Sequence, residues 1–374
     1  MSNREAEAGA QPGGSDPKPR AGGSTVLRRV VAFSISFGAL AWFLGRADWH
    51  ELRVSLASVK LGWVLAASLI LVGEFVLRAA RWRVLLRPLG AARVLDLFVA
   101  QVIGAAANTL LPLRAGEIAK PYVAARRTHL PIVPIFATAV MERVYDLFGM
   151  VSVLLIMVLA IPDDGGLEGD LVANIKRYGG LFGAAAMSAM IVFFLLATRE
   201  RAARGVFAGI VRIAPAPVRD RLLGLFDGFV AGLGNARDLR GLLQAAVLSI
   251  WMWVDGALAI WCLFQAFGME LPFGAACFTA VAIALTVALP QAPGFLGVFH
   301  VAMEKTMVLW GQSAGDAEGF AIVFWAVSFL PVTLIGLYAM TREGINASTL
   351  LSARGGLPVQ PSAATLPLVS PEKS

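Results

Sequence analysis

Six ionisable residues lie close together in a strongly apolar part of the chain, and their types fit the chemistry of phosphate binding. They are Arg114, Glu117, Lys120, Glu142, Arg143 and Asp146. A charged side chain inside a bilayer costs on the order of 3 kcal/mol by insertion scales, so such groups are rare there and tend to be functional. A guanidinium group suits phosphate because its planar fork donates two parallel hydrogen bonds. The set therefore predicts a polar site in which arginine holds a phosphate and carboxylates neutralise a cation or carry a proton.

The same residues have a purely structural alternative. Glu142 and Asp146 are four residues apart and Arg143 and Asp146 are three apart, which places them together on a helix surface. An ion-pair network of this kind would pin one helical segment to the next. Nearby, Asn108 is expected either to cap freed backbone groups or to hydrogen-bond a ligand. Gly116 is expected to permit a backbone conformation with positive φ.

A second polar interruption occupies residues 290–300 and is rich in proline and glycine. Pro293, Gly294 and Gly297 predict a tight turn whose N–H groups face an anion at the start of a new helix. His300 follows on that helix and is interpreted either as a proton carrier or as a structural histidine.

The two interruptions stand in corresponding places of the two halves of the chain. One ends the apolar run 94–111 and the other ends the apolar run 273–289. Unwound backbone at membrane depth leaves N–H and C=O groups that hydrocarbon cannot satisfy, so a break survives only inside protein or beside a wet cavity. A matched pair of interrupted segments is the sequence pattern that points to a transporter's substrate site.

Composition fixes the broad class of the protein. The 374 residues are 57% hydrophobic and only 15% charged, with a mean hydropathy of +0.71, whereas soluble domains carry about 25% charge. The chain is therefore an integral membrane protein. Its net charge of +7 does not indicate nucleic acid, because the arginines cluster beside apolar spans. The sequence has no Walker loop, no His/Cys metal cluster and no Gly-x-Ser-x-Gly elbow, so we expect no cofactor and no metal.

Six segments are apolar and long enough to cross a bilayer, which requires roughly 20 residues. They are 26–45, 61–77, 131–161, 179–197, 242–267 and 320–340. The arginine-rich segment 199–240 is expected in the cytoplasm and the acidic segment 161–179 outside, by the positive-inside rule. Both chain termini are then cytoplasmic. Residues 1–25 and 341–374 are expected to be disordered, and residues 222–233 to form an amphipathic surface helix.

These assignments of segments to the cytoplasm and to the outside are mutually consistent only if each interrupted segment returns to the membrane face from which it entered. The predicted fold is thus all-α, with about six transmembrane helices and two oppositely oriented re-entrant helical hairpins. The membrane domain covers residues 26–340 as an inverted repeat, with halves at 26–161 and 179–340. An additional pair of short full crossings would give the same orientation.

Several motifs together resemble the lysylphosphatidylglycerol synthase transmembrane-region family, which is also called flippase-like. They are Arg81 with Trp82, residues 108–117, Glu142-Arg143 with Asp146, and residues 293–297. The resemblance implies a multi-span protein of the bacterial inner membrane that binds or flips a lipid with a polar or phosphate headgroup. Proteins associated with hopanoid biosynthesis are similar too. His300 stands where family members often carry a carboxylate, and no aminoacyl-transferring domain is expected.

Three functions follow from these observations. The first is a lipid translocator whose two hairpins meet at the membrane midplane. The second is a membrane-embedded glycosyl- or phosphotransferase acting on a lipid carrier, with Asp163, Asp164, Glu168 and Asp170 as its acids. The third is a scaffold that transports nothing and binds lipid-biosynthetic enzymes.

Overall fold

A computed structural model describes residues 34, 38–46, 48–111, 114–160, 173, 177, 179–181, 183–185, 187–188, 200–212, 219, 223, 239–288 and 293–345. Every regular element in this part of the chain is a helix, which confirms the all-α class. We label the helices α1 Trp49–Ser58, α2 Leu61–Leu86, α3 Val94–Leu110, α4 Gly116–Thr128, α5 Ile132–Ala160, α6 Glu200–Val211, α7 Leu239–Phe267, α8 Phe273–Ala288, α9 Val298–Leu309 and α10 Ala314–Glu343. A short 3₁₀ turn, Pro293–Phe295, lies between α8 and α9.

Within the described residues, three helices are long and apolar enough to cross a membrane. These spans are Leu61–Leu86, Arg240–Phe267 and Ala314–Glu343, and they contain three of the six predicted segments. Helix α2 shows the lipid-facing character directly, because Leu61, Leu65 and Leu69 are 77%, 60% and 64% exposed along one side. An exposed apolar surface on a long apolar helix is typical of a membrane-spanning segment. The chain is thus an integral membrane protein.

Helix α5 covers the predicted segment 131–161 with 29 residues and includes the charged positions 142, 143 and 146. The predicted segments 26–45 and 179–197 lie mostly outside the described residues. The acidic segment around Asp163, Asp164, Glu168 and Asp170, the amphipathic segment 222–233 and most of both termini also lie outside them.

Helices α3 and α4 form an antiparallel pair, which we call the first hairpin. Arg127, near the end of α4, donates a 2.8 Å hydrogen bond to Asp96 at the start of α3. At the other end, the first residue of α4 approaches the side chain of Asn108. The helices have 17 and 13 residues, or about 25 and 20 Å at 1.5 Å per residue. Each is shorter than the roughly 30 Å hydrocarbon core.

Helices α8 and α9 form the second hairpin around the interruption 289–297. The ring centroids of Phe278, near the start of α8, and Trp310, just after α9, are 6.0 Å apart. These helices have 16 and 12 residues. The order long helix, short hairpin, long helix therefore occurs twice, as α2, α3–α4 and α5, and again as α7, α8–α9 and α10.

The two hairpins open at opposite ends of α10. Arg127, at the open end of the first hairpin, pairs with Glu343, the last residue of α10. Trp310, at the open end of the second hairpin, precedes Ser313, which caps the beginning of α10. Near the middle of α10, Trp325 donates a 2.7 Å hydrogen bond to the carbonyl of Gly294 at the tip of the second hairpin. The two tips consequently meet beside the centre of one long helix.

Gly116 has a different role from the one predicted. It lies at the start of α4 and is not among the residues with positive φ. A Cβ atom at Gly116 would stand 1.9 Å from the carbonyl oxygen of Gly104. Gly116 is needed because two backbones touch there, and the left-handed conformation belongs instead to Arg114, with φ 53°.

Candidate functional site

A cavity of about 280 Å³ lies where the two hairpin tips meet, and we call it the central cavity. It is lined by residues of both hairpins and of α2, α5 and α10. Its polar side chains are Arg78, Arg81, Gln101, Asn108, Thr109, Arg114, Glu117, Lys120, Glu142, Arg143, Asp146, Ser328 and Thr333.

The inner wall of the central cavity is a network of buried ion pairs. Arg81 is 1% exposed and donates to Asp146 at 2.7 Å and to Ser249 at 3.0 Å. Lys120 pairs with Glu142, and its ammonium group lies 4.5 Å from the ring centre of Trp82. Buried charges of this kind are tolerated when each has an opposite charge and hydrogen-bonding partners.

The outer wall carries a more exposed ion pair between α4 and α5. Arg143 donates to both carboxylate oxygens of Glu117, at 2.6 and 2.8 Å. It also reaches Asp146 at 3.3 Å. The side chains of Arg143 and Glu117 are 57% and 41% exposed. Water or a ligand therefore has access to the guanidinium group of Arg143.

Arg114 is the basic side chain that has no carboxylate partner within the described part of the central cavity. Four other basic groups line it, and each pairs with an acid: Arg78 with Glu74, Arg81 with Asp146, Lys120 with Glu142 and Arg143 with Glu117. Arg114 donates instead to the backbone carbonyl of Val287. Five basic groups thus face four acids, which leaves one positive charge.

Arg114 is also the residue that joins the two hairpin tips. It belongs to the first tip, whereas Val287 lies at the end of α8 in the second hairpin. Its φ of 53° is a left-handed conformation that an L-residue with a side chain seldom adopts. Phe295, in the second tip, has φ 57°. Backbone conformations that are rare in proteins occur more often at functional sites than elsewhere.

The side of the central cavity formed by the second half is mostly apolar and carries no charged side chain in the described residues, with Ser328 and Thr333 as its polar side chains. Phe295 stacks on Phe329 of α10 with ring centroids 5.0 Å apart, and Val287 and Val332 also line the cavity. The cavity therefore has a charged wall from the first half of the chain and an aromatic and aliphatic wall from the second half.

The structure brings six of the predicted site residues together at the central cavity. They are Asn108, Arg114, Glu117, Glu142, Arg143 and Asp146. The Oδ1 atom of Asn108 is buried and has no hydrogen-bond partner in the described residues, so this oxygen caps no described backbone group. It is a buried acceptor in the wall of the central cavity.

The predicted residues of the second interruption lie beside the central cavity rather than on its surface. Pro293, Gly294 and Gly297 shape the second tip, with φ of 78° and 82° at the two glycines, while Phe295 is the residue that lines the cavity. His300 is buried away from it, with its ring centre 5.3 Å from Phe43 and 5.8 Å from Trp325.

Two arginines of α2, Arg78 and Arg81, belong to the site although neither is among the site residues predicted from the sequence. Both line the central cavity. A usable signal was present, because positions 74, 78 and 81 follow the spacing of one helix face. An acid and two bases on one face of an apolar helix indicate a polar interior rather than a membrane surface.

Three relatives resemble the chain over much of its length. The protein named glycosyltransferase AglD of Haloferax volcanii is 28% identical over 87% of this chain, and the chain spans 56% of that relative's length. A UPF0104 membrane protein of Methanothermobacter thermautotrophicus is 26% identical over 76% of this chain and 85% of its own. A UPF0104 membrane protein of Methanocaldococcus jannaschii is 23% identical over 61% of this chain and 90% of its own.

The match to a family covers almost the whole set of helices described above. The sequence model for the lysylphosphatidylglycerol synthase TM region matches residues 29–336, which includes both hairpins and all the residues of the central cavity. This match confirms the resemblance found in the motifs around positions 81, 108–117, 142–146 and 293–297. The chain therefore belongs to the lysylphosphatidylglycerol synthase TM region family.

Proposed function

We propose that the protein translocates a membrane lipid with a polar or phosphate-bearing headgroup, and that this headgroup binds in the central cavity at Arg114. The observation that carries the proposal is the unpaired charge of Arg114 among four paired basic groups. A phosphate would neutralise it and accept two parallel hydrogen bonds from its guanidinium fork. The Oδ1 atom of Asn108 would accept from a hydroxyl or amine of the same headgroup.

The two unlike walls of the central cavity favour a lipid over a small soluble anion. A free phosphate favours polar groups on all sides, but the wall of the second half offers it mainly the apolar surface of Phe295, Phe329 and Val332. A lipid matches both walls because its headgroup is polar and its chains are not. In this arrangement the headgroup lies towards α4 and α5, and the first carbons of the tails lie towards Phe295 and Phe329.

The hairpins supply a means of moving the headgroup across the bilayer. We infer that both are re-entrant and enter from opposite faces of the membrane, since they open at opposite ends of α10 and each helix is shorter than the hydrocarbon core. A motion of one hairpin against the other would expose the cavity first to one side and then to the other. The bond between Arg114 and Val287 joins the two tips, so a phosphate that takes Arg114 would release the second tip.

A transferase acting on a lipid carrier is the second candidate, and the name of the relative AglD is what favours it. The carboxylates that line the central cavity give it little support. Glu117, Glu142 and Asp146 each pair with a basic side chain, whereas a general base must be free to take a proton from the acceptor hydroxyl. We therefore place translocation first.

The test is lipid translocation by purified protein in vesicles that contain headgroup-labelled phosphatidylglycerol. Arg114→Ala should weaken binding of this lipid and slow its translocation on the order of tenfold or more, since a hydrogen bond to a charged group contributes about 1.5–3 kcal/mol. Arg114→Lys should restore only part of the rate, because an ammonium lacks the fork. Arg126→Ala is the matched control, as Arg126 is an exposed arginine of the same hairpin outside the central cavity.

Three outcomes would overturn the proposal. A wild-type translocation rate in Arg114→Ala would leave the cavity without a role in transport and would favour the scaffold. Unfolding of Arg114→Ala in detergent, with Arg126→Ala intact, would make Arg114 a structural clamp between the hairpin tips. Transfer of a sugar or phosphate to a lipid by the purified protein would favour the enzyme.

A further inference from the structure

Glu318 is a buried acid in the second half of the chain, on the first turns of α10. Its residue exposure is 5%. The backbone N–H of Asp48 hydrogen-bonds to its carboxylate, but its Oε2 atom is buried and has no hydrogen-bond partner among the described residues. A buried ionised carboxylate without partners carries a large desolvation cost. The Oε2 atom of Glu318 is therefore expected to bind a proton or another ligand that offsets this cost.

The charged groups that interact most strongly with Glu318 are themselves acids. They are Glu304 of α9, Asp48 at the cap of α1 and Glu51 of α1. Asp316, two residues earlier on α10, is engaged by the hydroxyl groups of Ser55 and Ser313.

The cations of this region have other contacts. Lys305 bonds to Glu304 at 2.8 Å. Its ammonium group and the guanidinium group of Arg46 lie 5.1 and 4.8 Å from the ring centre of Trp42. No ion pair to Glu318 occurs in the described residues. This is the reverse of the central cavity, where every lining carboxylate has a basic partner.

We propose that Glu318 is the proton-binding site of this protein, and that its Oε2 atom carries the proton as a carboxylic acid O–H. Glu304, Asp48 and Glu51 would disfavour a further negative charge beside them. A proton satisfies a single oxygen atom, whereas a metal ion requires several ligands. Among the described residues no group of three His, Cys, Asp or Glu side chains could hold a metal ion.

The position of Glu318 connects a proton there to the second hairpin. Glu304 lies on α9, whose N-cap residue Gly297 belongs to the second tip, and Glu318 lies on α10, which α9 packs against. With the proton bound, α9 stays against α10 and Trp325 keeps its hydrogen bond to Gly294. Loss of the proton leaves a buried negative charge on Glu318 beside Glu304, which in the described part of the chain only the half-exposed Lys305 offsets. This added repulsion and desolvation cost would favour movement of α9, and of the second tip with it, away from α10.

The direct test is infrared spectroscopy of the purified protein at neutral pH, which detects the C=O stretch of a protonated carboxylic acid. Wild type should show this band and Glu318→Gln should lack it, while Glu318→Asp should shift it. Glu270→Gln, which changes an exposed acid between α7 and α8, should leave it intact. An unchanged band in Glu318→Gln, or no band in wild type, would overturn the proposal. A band that disappears on addition of Na⁺ would make the site a metal-ion site instead.

A second measurement asks whether proton binding at Glu318 is coupled to lipid translocation, and it rests on the proposed translocation function. One coupled proton and a gradient of one pH unit can change the translocation equilibrium about tenfold. Wild type should respond to the gradient, whereas Glu318→Gln should translocate headgroup-labelled phosphatidylglycerol at a rate independent of it. If translocation by Glu318→Gln still responded to the pH gradient, Glu318 would not be the residue that couples protons to translocation. If wild type translocates no lipid, the infrared result still decides whether Glu318 holds a proton.

Discussion

Arg81 and Arg114 carry the same guanidinium group in opposite surroundings. Arg81 is enclosed, with Asp146 at 2.7 Å, Glu142 at 3.8 Å and Ser249 at 3.0 Å. Arg114 is exposed and bonds to a single backbone carbonyl. A buried charge that pairs with acids, as Arg81 does, is part of the folded structure, while an exposed charge without an acidic partner is free to bind a ligand. We therefore treat Arg81 as a positioning residue for the acids of the central cavity and Arg114 as the ligand-binding residue.

This distinction predicts different stability losses for the two arginines. Arg81→Ala should lower the free energy of unfolding by about 3–5 kcal/mol, because it leaves Asp146 and Glu142 buried with less compensation. Arg114→Ala should cost less than about 1 kcal/mol, as expected for an exposed position. Denaturant unfolding in detergent, with Arg126→Ala as the control, measures both. Equal losses for Arg81→Ala and Arg114→Ala would contradict the division into positioning and binding residues.

At the scale of elements, the first hairpin depends on close contact between two helix backbones. Gly104 and Gly116 face each other across it, and a Cβ atom at Gly104 would stand 2.8 Å from the Cβ atom of Lys120. Gly336 of α10 makes a similar contact with the first hairpin, where a Cβ atom would stand 2.3 Å from the carbonyl oxygen of Val102. Small residues allow such approaches in membranes, where packing replaces the hydrophobic effect as the cause of helix association.

Gly116→Ala should accordingly destabilise the protein and alter the central cavity. The added methyl group meets a backbone oxygen that cannot move without separating α3 from α4, and overpacking of this kind costs about 1–3 kcal/mol. Gly73→Ala is the matched control, because nothing lies within 4 Å of a Cβ atom there, and it should change stability by less than about 1 kcal/mol. Thermal unfolding in detergent compares the two variants. A Gly116→Ala protein as stable as Gly73→Ala would contradict the close contact.

At the scale of the whole molecule, two hairpins that open at opposite ends of α10 fit the distribution of charge along the chain. The open end of the first hairpin carries Arg93 and Arg127, both paired with Asp96. Basic residues of this kind mark the cytoplasmic side. We propose on this basis that the first hairpin enters from the cytoplasm, that the second enters from outside, and that both chain termini are cytoplasmic.

The topology can be tested by labelling single cysteines in intact cells after Cys262 and Cys277 have been replaced. A membrane-impermeant reagent should label Asp164→Cys, in the acidic segment outside the described residues, and should spare Arg204→Cys of α6. Reagent that has access to both sides in broken cells should label both variants. The reverse pattern in intact cells would contradict the assignment of sides and the inverted repeat with it.

The sequence by itself determined the class of the protein and the places where its helices are interrupted. The overall composition and the distribution of arginines depend on many residues at once, so they can be evaluated without knowledge of three-dimensional contacts. The polar interruptions at 108–117 and 290–300 were readable because proline, glycine and charge within an apolar run have a local cost in hydrocarbon. The length and hydropathy of a span are also local properties, and three of the six predicted spans lie in described helices that are long enough to cross a membrane.

Only the tertiary structure decided which charges are paired and which are free. Arg81 finds Asp146 at a separation of 65 residues and Ser249 at 168 residues, so its partners could not be read from local spacing. The same holds for Arg114, which reaches Val287 across 173 residues, and for Glu318, whose buried oxygen has no partner in the described residues. Local sequence sets the cost of a break or a buried charge, but the partners that offset the cost come from distant segments brought together by packing.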